Sequence, residues 1–227
     1  MKKKQVQRLV AFSLATMMTL QGLSVNASGQ VQVRTDSNTQ MSSDKEVVYV
    51  NTYDTSKRVH DFDANWKFYL GDADGAEAVN FDDSAWRTVS VPHDYSIEQE
   101  YTQSGEAESG YLPGGTGWYR KHFTLTEDMK DKEIRLDFGG VYMNATVWVN
   151  GTQLGTHPYG YTPFSFDITD YVKAGEENVI TVKVDHQTPS SRWYSGSGIY
   201  RSVDLTVMDK VHVDLNGTKI ATPNLAK

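Results

Sequence analysis
From Trp66 to Val207 the chain keeps returning to one pattern, in which apolar and polar side chains alternate. Trp66, Phe68 and Leu70 alternate with Lys67 and Tyr69, and Ile134, Leu136 and Phe138 with Arg135 and Asp137. The same holds for Phe164, Phe166 and Ile168, for Ile180, Val182 and Val184, and for Val203, Leu205 and Val207. Successive side chains of a strand point to opposite faces, so this spacing predicts half-buried strands, each with one face on a core. Asn150-Gly151, between Ala145–Val149 and Thr152–Leu154, predicts a tight hairpin, because both central residues of such a turn take positive φ. No stretch sustains helical spacing; Asp82–Trp86 and Asp170–Ala174 read as single turns. Many short strands punctuated by turn residues predict an all-β antiparallel sandwich of jelly-roll type over residues 47–208.

The two ends of the chain break this pattern. Lys2, Lys3, Lys4 and Arg8 precede the apolar run Val10–Leu20, and Val25-Asn26-Ala27 follows as a small-residue cleavage site. A basic start, a short apolar run and such a site predict a secretory signal peptide over residues 1–27, the run being too short for a comfortable membrane span. Residues 28–46 are Gln, Ser, Thr and Asn with scattered charges, too polar to order themselves, and are expected to be a disordered spacer. After Met208 a further alternation opens at Val211 and Val213 and reaches a second Asn-Gly at Asn216-Gly217. Residues 209–227 are therefore expected to begin a second, truncated all-β domain, since a strand without a partner is marginal.

Charge and cysteine narrow the function. The 29 acidic and 22 basic residues give a net charge of −7, which argues against nucleic acid as a partner. Cysteine is absent, which excludes disulfides and thiolate metal sites. An exported chain of this kind relies on its packed core, as a secreted or cell-surface bacterial protein would. The six histidines show neither a helical i, i+4 pair nor zinc spacing, so no metal or other cofactor is expected.

Candidate chemistry concentrates in Ser191–Arg201, which holds Arg192 and Arg201, the rings of Trp193, Tyr194 and Tyr200, and Gly196 and Gly198. Flat rings and forked donors on a tightly turned loop suit a polyhydroxylated ligand, whose C–H faces stack and whose hydroxyls need directed bonds. The same residues suit a strand-entry loop whose rings cap a core and whose arginines pair with local carboxylates, and composition does not separate the two. In Val91–Tyr95, Asp94 is placed to accept from sugar hydroxyls with His93 as a neighbouring donor or acceptor, or else to form an Asx turn beside a packed histidine. The Gly-rich loop Glu98–Thr116 lacks the Lys-Ser/Thr ending of a phosphate loop, and Gly196-Ser197-Gly198 is too short for a nucleophile elbow.

Six segments in order carry a resemblance: "NWKFYLGD", "FDDSAWRTVSVPHDYSIE", "GTGWYRKHF", "LDFGGVYMNATVWVNGTQLGTHPYGYTPFSFDITDYV", "ENVITVKVDH" and "SRWYSGSGIYR". Together the chain resembles the N-terminal sugar-binding jelly-roll (galactose-binding-domain-like) domain of glycoside hydrolase family 2, in particular its secreted bacterial β-galactosidases. The resemblance implies a parent enzyme that hydrolyses terminal β-galactosides with retention. There an immunoglobulin-like sandwich, begun at 209–227, and a TIM barrel with two catalytic glutamates would follow this domain. The family's acid/base lies in an Asn-Glu dipeptide, which this chain lacks, so no catalytic residue is assigned and the chain alone is expected to be inactive. By the resemblance, Arg192 is the first choice for a hydroxyl contact and Asp94 the second, Trp193 and Tyr194 shape the pocket, and Arg201 braces the loop. The metal aspartate of some members is replaced here by Ser190 and Ser191. The alternatives are a stand-alone carbohydrate-binding module, a packing domain without ligand contact, and a β-glucuronidase or β-mannosidase of the same family.

Overall fold
The computed structural model describes residues 57–215 and 217–223, together with the backbone of two short strands, β1 (Leu23–Val25) and β2 (Val31–Val33). β1 and β2 pair antiparallel, β2 falling within the stretch expected to be a spacer. The rest of the expected leader and spacer lies outside the described residues.

The main body has ten strands: β3 (Val59–Asp61), β4 (Trp66–Leu70), β5 (Arg87–Val89), β6 (Gly115–Thr124), β7 (Glu133–Phe138), β8 (Ala145–Val149), β9 (Thr152–His157), β10 (Phe164–Asp167), β11 (Glu177–His186) and β12 (Val203–Met208). They form two antiparallel sheets, one in the order β10-β7-β12-β3 and the other β5-β4-β6-β11-β8-β9. Helical content among the described residues is limited to single 3-10 turns, including Thr169–Tyr171, which overlaps one of the two stretches expected to turn. Asn150 and Gly151 take φ of 48° and 79°, closing the predicted β8–β9 hairpin. No strand forms among the described residues after Met208, and Val211 is almost fully exposed.

The alternating residues meet between the sheets. Trp66, Phe68, Tyr119, Val147, Ile180 and Val182 of one sheet face Ile134, Leu136, Phe138, Val203 and Leu205 of the other in a single buried cluster. Fully burying side chains of this size contributes about 1.5–3 kcal/mol each, which makes this cluster the main stabilising feature of the sandwich.

The larger sheet departs from the one-sided burial that its alternation predicts. Its outer face is roofed by the 71–86 segment, which packs Ala76 and Trp86 on Trp118, with Ala73, Phe81 and Trp148 alongside. Arg120, on that outer face of β6, is fully buried under this roof. Its Nε donates to Asp83 Oδ2 at 2.8 Å, and its terminal nitrogens donate to the carbonyls of Ala76, Ala78 and Val79 and to Thr181 Oγ1. Burial would by itself raise the Asp83 carboxyl, but hydrogen bonds from His122 and Arg120 outweigh it and hold the group low.

Lys121 faces the opposite way, into the edge of the core. Its ammonium donates to the Ala64 carbonyl and lies 4.2 Å from the centre of the Phe62 ring. Burial pulls its pKa down to about 8, against the weaker upward pull of Asp61 and Asp63. Below pH 8 the lysine is charged in both states and the cost of burying that charge is fully present. Between pH 8 and the unfolded value near 10.5 the folded state has released a proton that the unfolded state keeps, so stability rises with pH, by about 3 kcal/mol in all. Urea midpoints across pH 7.5–10, compared with Lys121→Met to cancel the tyrosines, are expected to show this rise. A parallel pH dependence in the two proteins would remove Lys121 as its source.

Candidate functional site
Strand register gathers the candidate loops at one end of the sandwich. His186, the last residue of β11, pairs with Gly115, the first of β6, while Ala145 pairs with His157. In the other sheet Phe138 pairs with both Phe164 and Val203. The segments 98–114, 139–144, 158–163 and 187–202 therefore all emerge from the same end.

The last of these segments is clamped to residues 92–98 through Asp94. The 92–98 segment pairs with the 191–201 loop through His93 N to Ile199 O at 2.7 Å and Tyr95 N to Ser197 O at 3.0 Å. Asp94 Oδ1 accepts from the backbone N–H groups of Ser96 (2.9 Å) and Ser197 (2.8 Å), and Oδ2 accepts the Tyr194 hydroxyl. Burial, reinforced by Asp94, pushes the Tyr194 hydroxyl pKa up, so the donated proton stays on the tyrosine. The Asp94 carboxylate is thus engaged on both oxygens in joining the loops, the Asx-turn role.

His93 is buried as well. Its Nδ1 lies 2.7 Å from Tyr119 Oη, and its Nε2 lies 3.2 Å from Glu98 Oε1 and 3.1 Å from Arg87. Burial holds the imidazole below its ordinary pKa despite Glu98, so near neutral pH it is an uncharged bridge between the core and the ion pair that Arg87 and Glu98 form at the surface.

Arg192 and Trp193 lie elsewhere, in an open groove of about 470 Å³ shared with Glu106, Tyr159, Tyr161 and Ser190. Arg192 is exposed and has no hydrogen-bond or carboxylate partner among the described residues. Trp193 is 60% exposed, held by its Nε1 donating to Tyr161 Oη at 2.9 Å. Tyr161 contacts Tyr159, Trp193 and the buried Tyr142 edge-on or tilted, with centroids 5.3–6.5 Å apart. The result is a row of rings beside an unpaired guanidinium, which can stack on apolar sugar faces and donate directed bonds to hydroxyls. Among the described residues, no cluster of three or more His, Asp or Glu side chains is placed to hold a metal ion.

The five predicted residues thus divide. Arg192 and Trp193 line the groove, whereas Asp94 and Tyr194 bind each other in the clamp and His93 lies inside. Arg201 is exposed and donates to Gly139 O at 3.3 Å. The sequence reading does not single out Tyr159, Tyr161 or Glu106. The signal for the two tyrosines is His157-Pro-Tyr-Gly-Tyr161, a loop with two rings within three residues.

A sequence model described as "Glycosyl hydrolases family 2, sugar binding domain" matches residues 59–209. A β-galactosidase of Bacteroides ovatus is 46% identical over 168 residues, covering 73% of this chain and 20% of that protein. A β-glucuronidase of Formosa agariphila is 34% identical over 180 residues, covering 71% of this chain and 18% of that protein. The crystal structure of a glycosyl hydrolase family 2 member from Bacteroides cellulosilyticus superposes with a TM-score of 0.66 at 45% identity, covering 67% of this chain and 21% of that one. The chain spans about a fifth of the length of the curated relatives it matches.

Proposed function
The chain belongs to glycosyl hydrolase family 2, and from that premise we propose that it supplies the sugar-binding domain of a larger, exported β-galactosidase. The observation that carries this reading is the groove in which the unpaired Arg192 guanidinium lies beside the exposed Trp193 and Tyr159 rings. Arg192 donates to a hydroxyl of the bound sugar, and the rings hold its apolar face. The chemistry belongs to the part of the parent outside this chain, where one carboxylate attacks the anomeric carbon and another donates and then accepts the proton. Residues 209–227 lead into its next domain. The basic start and apolar run of residues 1–27 support export, with the mature chain beginning near Ser28.

A β-glucuronidase parent is the second reading, favoured by the relative of that name and by a cation free to pair with a uronate. Glu106 in the same groove sets a negative charge near such a carboxylate and supports the neutral sugar.

In the intact parent, Arg192→Ala is expected to lower kcat/KM by the value of a charge-assisted hydrogen bond, about 1.5–3 kcal/mol. An unchanged kcat/KM takes Arg192 out of the site. A panel of chromogenic β-glycosides is expected to show turnover of the galactoside by the parent and none by this chain. A glucuronide preference would install the second reading, and turnover by this chain alone would overturn both.

A further inference from the structure
Beneath the groove runs a chain of hydroxyls and one imidazole whose proton directions are fixed from its Ser96 end. At one end, Ser96 Oγ lies 2.8 Å from the Pro113 carbonyl oxygen. A carbonyl can only accept, and two oxygens at that distance without a proton between them repel, so Ser96 donates there. Ser96 Oγ also contacts Ser197 Oγ, and with its own proton committed it can only accept, so Ser197 is the donor. Ser197 Oγ in turn lies 2.5 Å from His186 Nδ1 and must accept from it, which places the imidazole proton on Nδ1.

The directions at the other end follow. His186 Nε2 lies 2.9 Å from Ser190 Oγ, and with Nδ1 protonated in the neutral ring, Nε2 is an acceptor. Ser190 therefore donates to the ring, while the Tyr142 hydroxyl donates to Ser190 Oγ at 3.1 Å. Tyr142, His186, Ser96 and Ser197 are all buried. Burial also holds the imidazole below its ordinary pKa, against the upward pull of Asp94 and Asp185, in keeping with a neutral ring.

Ser190 is the member of this chain that reaches the groove, beside Arg192 and Trp193. Its proton is committed to His186 and one lone pair to Tyr142, so what it offers outward is a single acceptor lone pair. We propose that Ser190 is the groove's acceptor for a hydroxyl that a bound sugar donates, with His186 as the positioning residue that turns the serine proton inward. Arg192 offers donors only, so the pair asks a sugar for one acceptor and one donor hydroxyl and discriminates against ligands that are methylated or deoxygenated at the donor position. This rests on the sugar-binding reading of the groove.

Two measurements on the full 227-residue chain test it. Long-range proton–nitrogen spectra of the histidine rings are expected to show His186 neutral with Nδ1 protonated, the less common tautomer; a proton on Nε2, or an imidazolium at neutral pH, overturns the assignment. Titration with methyl β-galactoside and its mono-O-methyl analogues is then compared between wild type and Ser190→Ala. The variant is expected to bind the parent sugar about five- to tenfold more weakly, the value of one neutral hydrogen bond. One O-methyl analogue is expected to bind both proteins equally poorly, because its missing donor and the missing acceptor are the same bond. Equal affinities of wild type and Ser190→Ala for every ligand would remove Ser190 from the site and leave the groove reading standing. No binding by wild type would remove the groove reading, and this proposal with it.

Discussion

Arg120→Met is expected to lower the unfolding free energy by about 3–5 kcal/mol, the cost of removing one partner from a buried charged network. The guanidinium is fully buried between the outer face of β6 and the 71–86 segment. It serves Asp83, Thr181 and three backbone carbonyls, those of Ala76, Ala78 and Val79, at once. Methionine fills most of the volume but donates nothing, so Asp83 keeps only His122, while the Ala76 and Ala78 carbonyls keep one donor each, Thr181 Oγ1 and Phe81 N, and the Val79 carbonyl loses the guanidinium. Each buried group left unsatisfied costs about 1–3 kcal/mol. The protein can limit this loss by lifting the 71–86 segment into water, and that route has its own signature in the exposure of Trp86, which stacks on Tyr69 at 5.5 Å. Urea denaturation followed at the far-ultraviolet and at the tryptophans separates the two routes. A loss below about 1 kcal/mol with Trp86 unmoved would mean that the network is not what holds the roof down.

Gly198→Ala is the second large effect, and it acts on the candidate site. Gly198 has φ of +111°, where an L side chain is strained. A Cβ there would lie 2.2 Å from Tyr119 Oη and 2.9 Å from the His93 carbonyl oxygen. Neither can retreat easily, since Tyr119 is fully buried and His93 is hydrogen-bonded to it. Backbone strain of about 1–3 kcal/mol and overpacking of similar size together give an expected loss of about 2–6 kcal/mol. The displaced loop would also pull Ser197 from Asp94 and His186, so sugar affinity is expected to fall together with thermal stability. A variant as stable as wild type would show that the loop relaxes without cost, and the clamp would then not be rigid.

How much of this was legible in the sequence varies by element. The alternation at Ile134–Phe138 and Val203–Leu205 identified the inward faces, although Arg135 and Thr206 on the other face are buried too, both bonded to Asp137. It misled on β11, where Thr181 reads as a solvent-facing polar position yet is buried with Arg120 of β6 beneath the 71–86 roof. Period two reports which residues share a face; what covers that face depends on a segment roughly 40 residues earlier in the chain. The Asn150-Gly151 turn was readable because its φ requirement is local.

The site divides along the same line. By itself the sequence determined that rings and guanidinium groups crowd into Ser191–Arg201, that Arg192 and Trp193 are candidates for a sugar, and that six ordered segments resemble one family. Tertiary structure alone decided what Asp94 does, because its partners Tyr194 and Ser197 are 100 and 103 residues away. It likewise brought Tyr159 and Tyr161 beside Trp193, and it fixed the tautomer of His186 through Ser96 and Pro113. Composition and local spacing establish which donors and acceptors a loop carries. Which of them remain free for a ligand depends on the hydrogen bonds already made within the fold, and those are set by strand register.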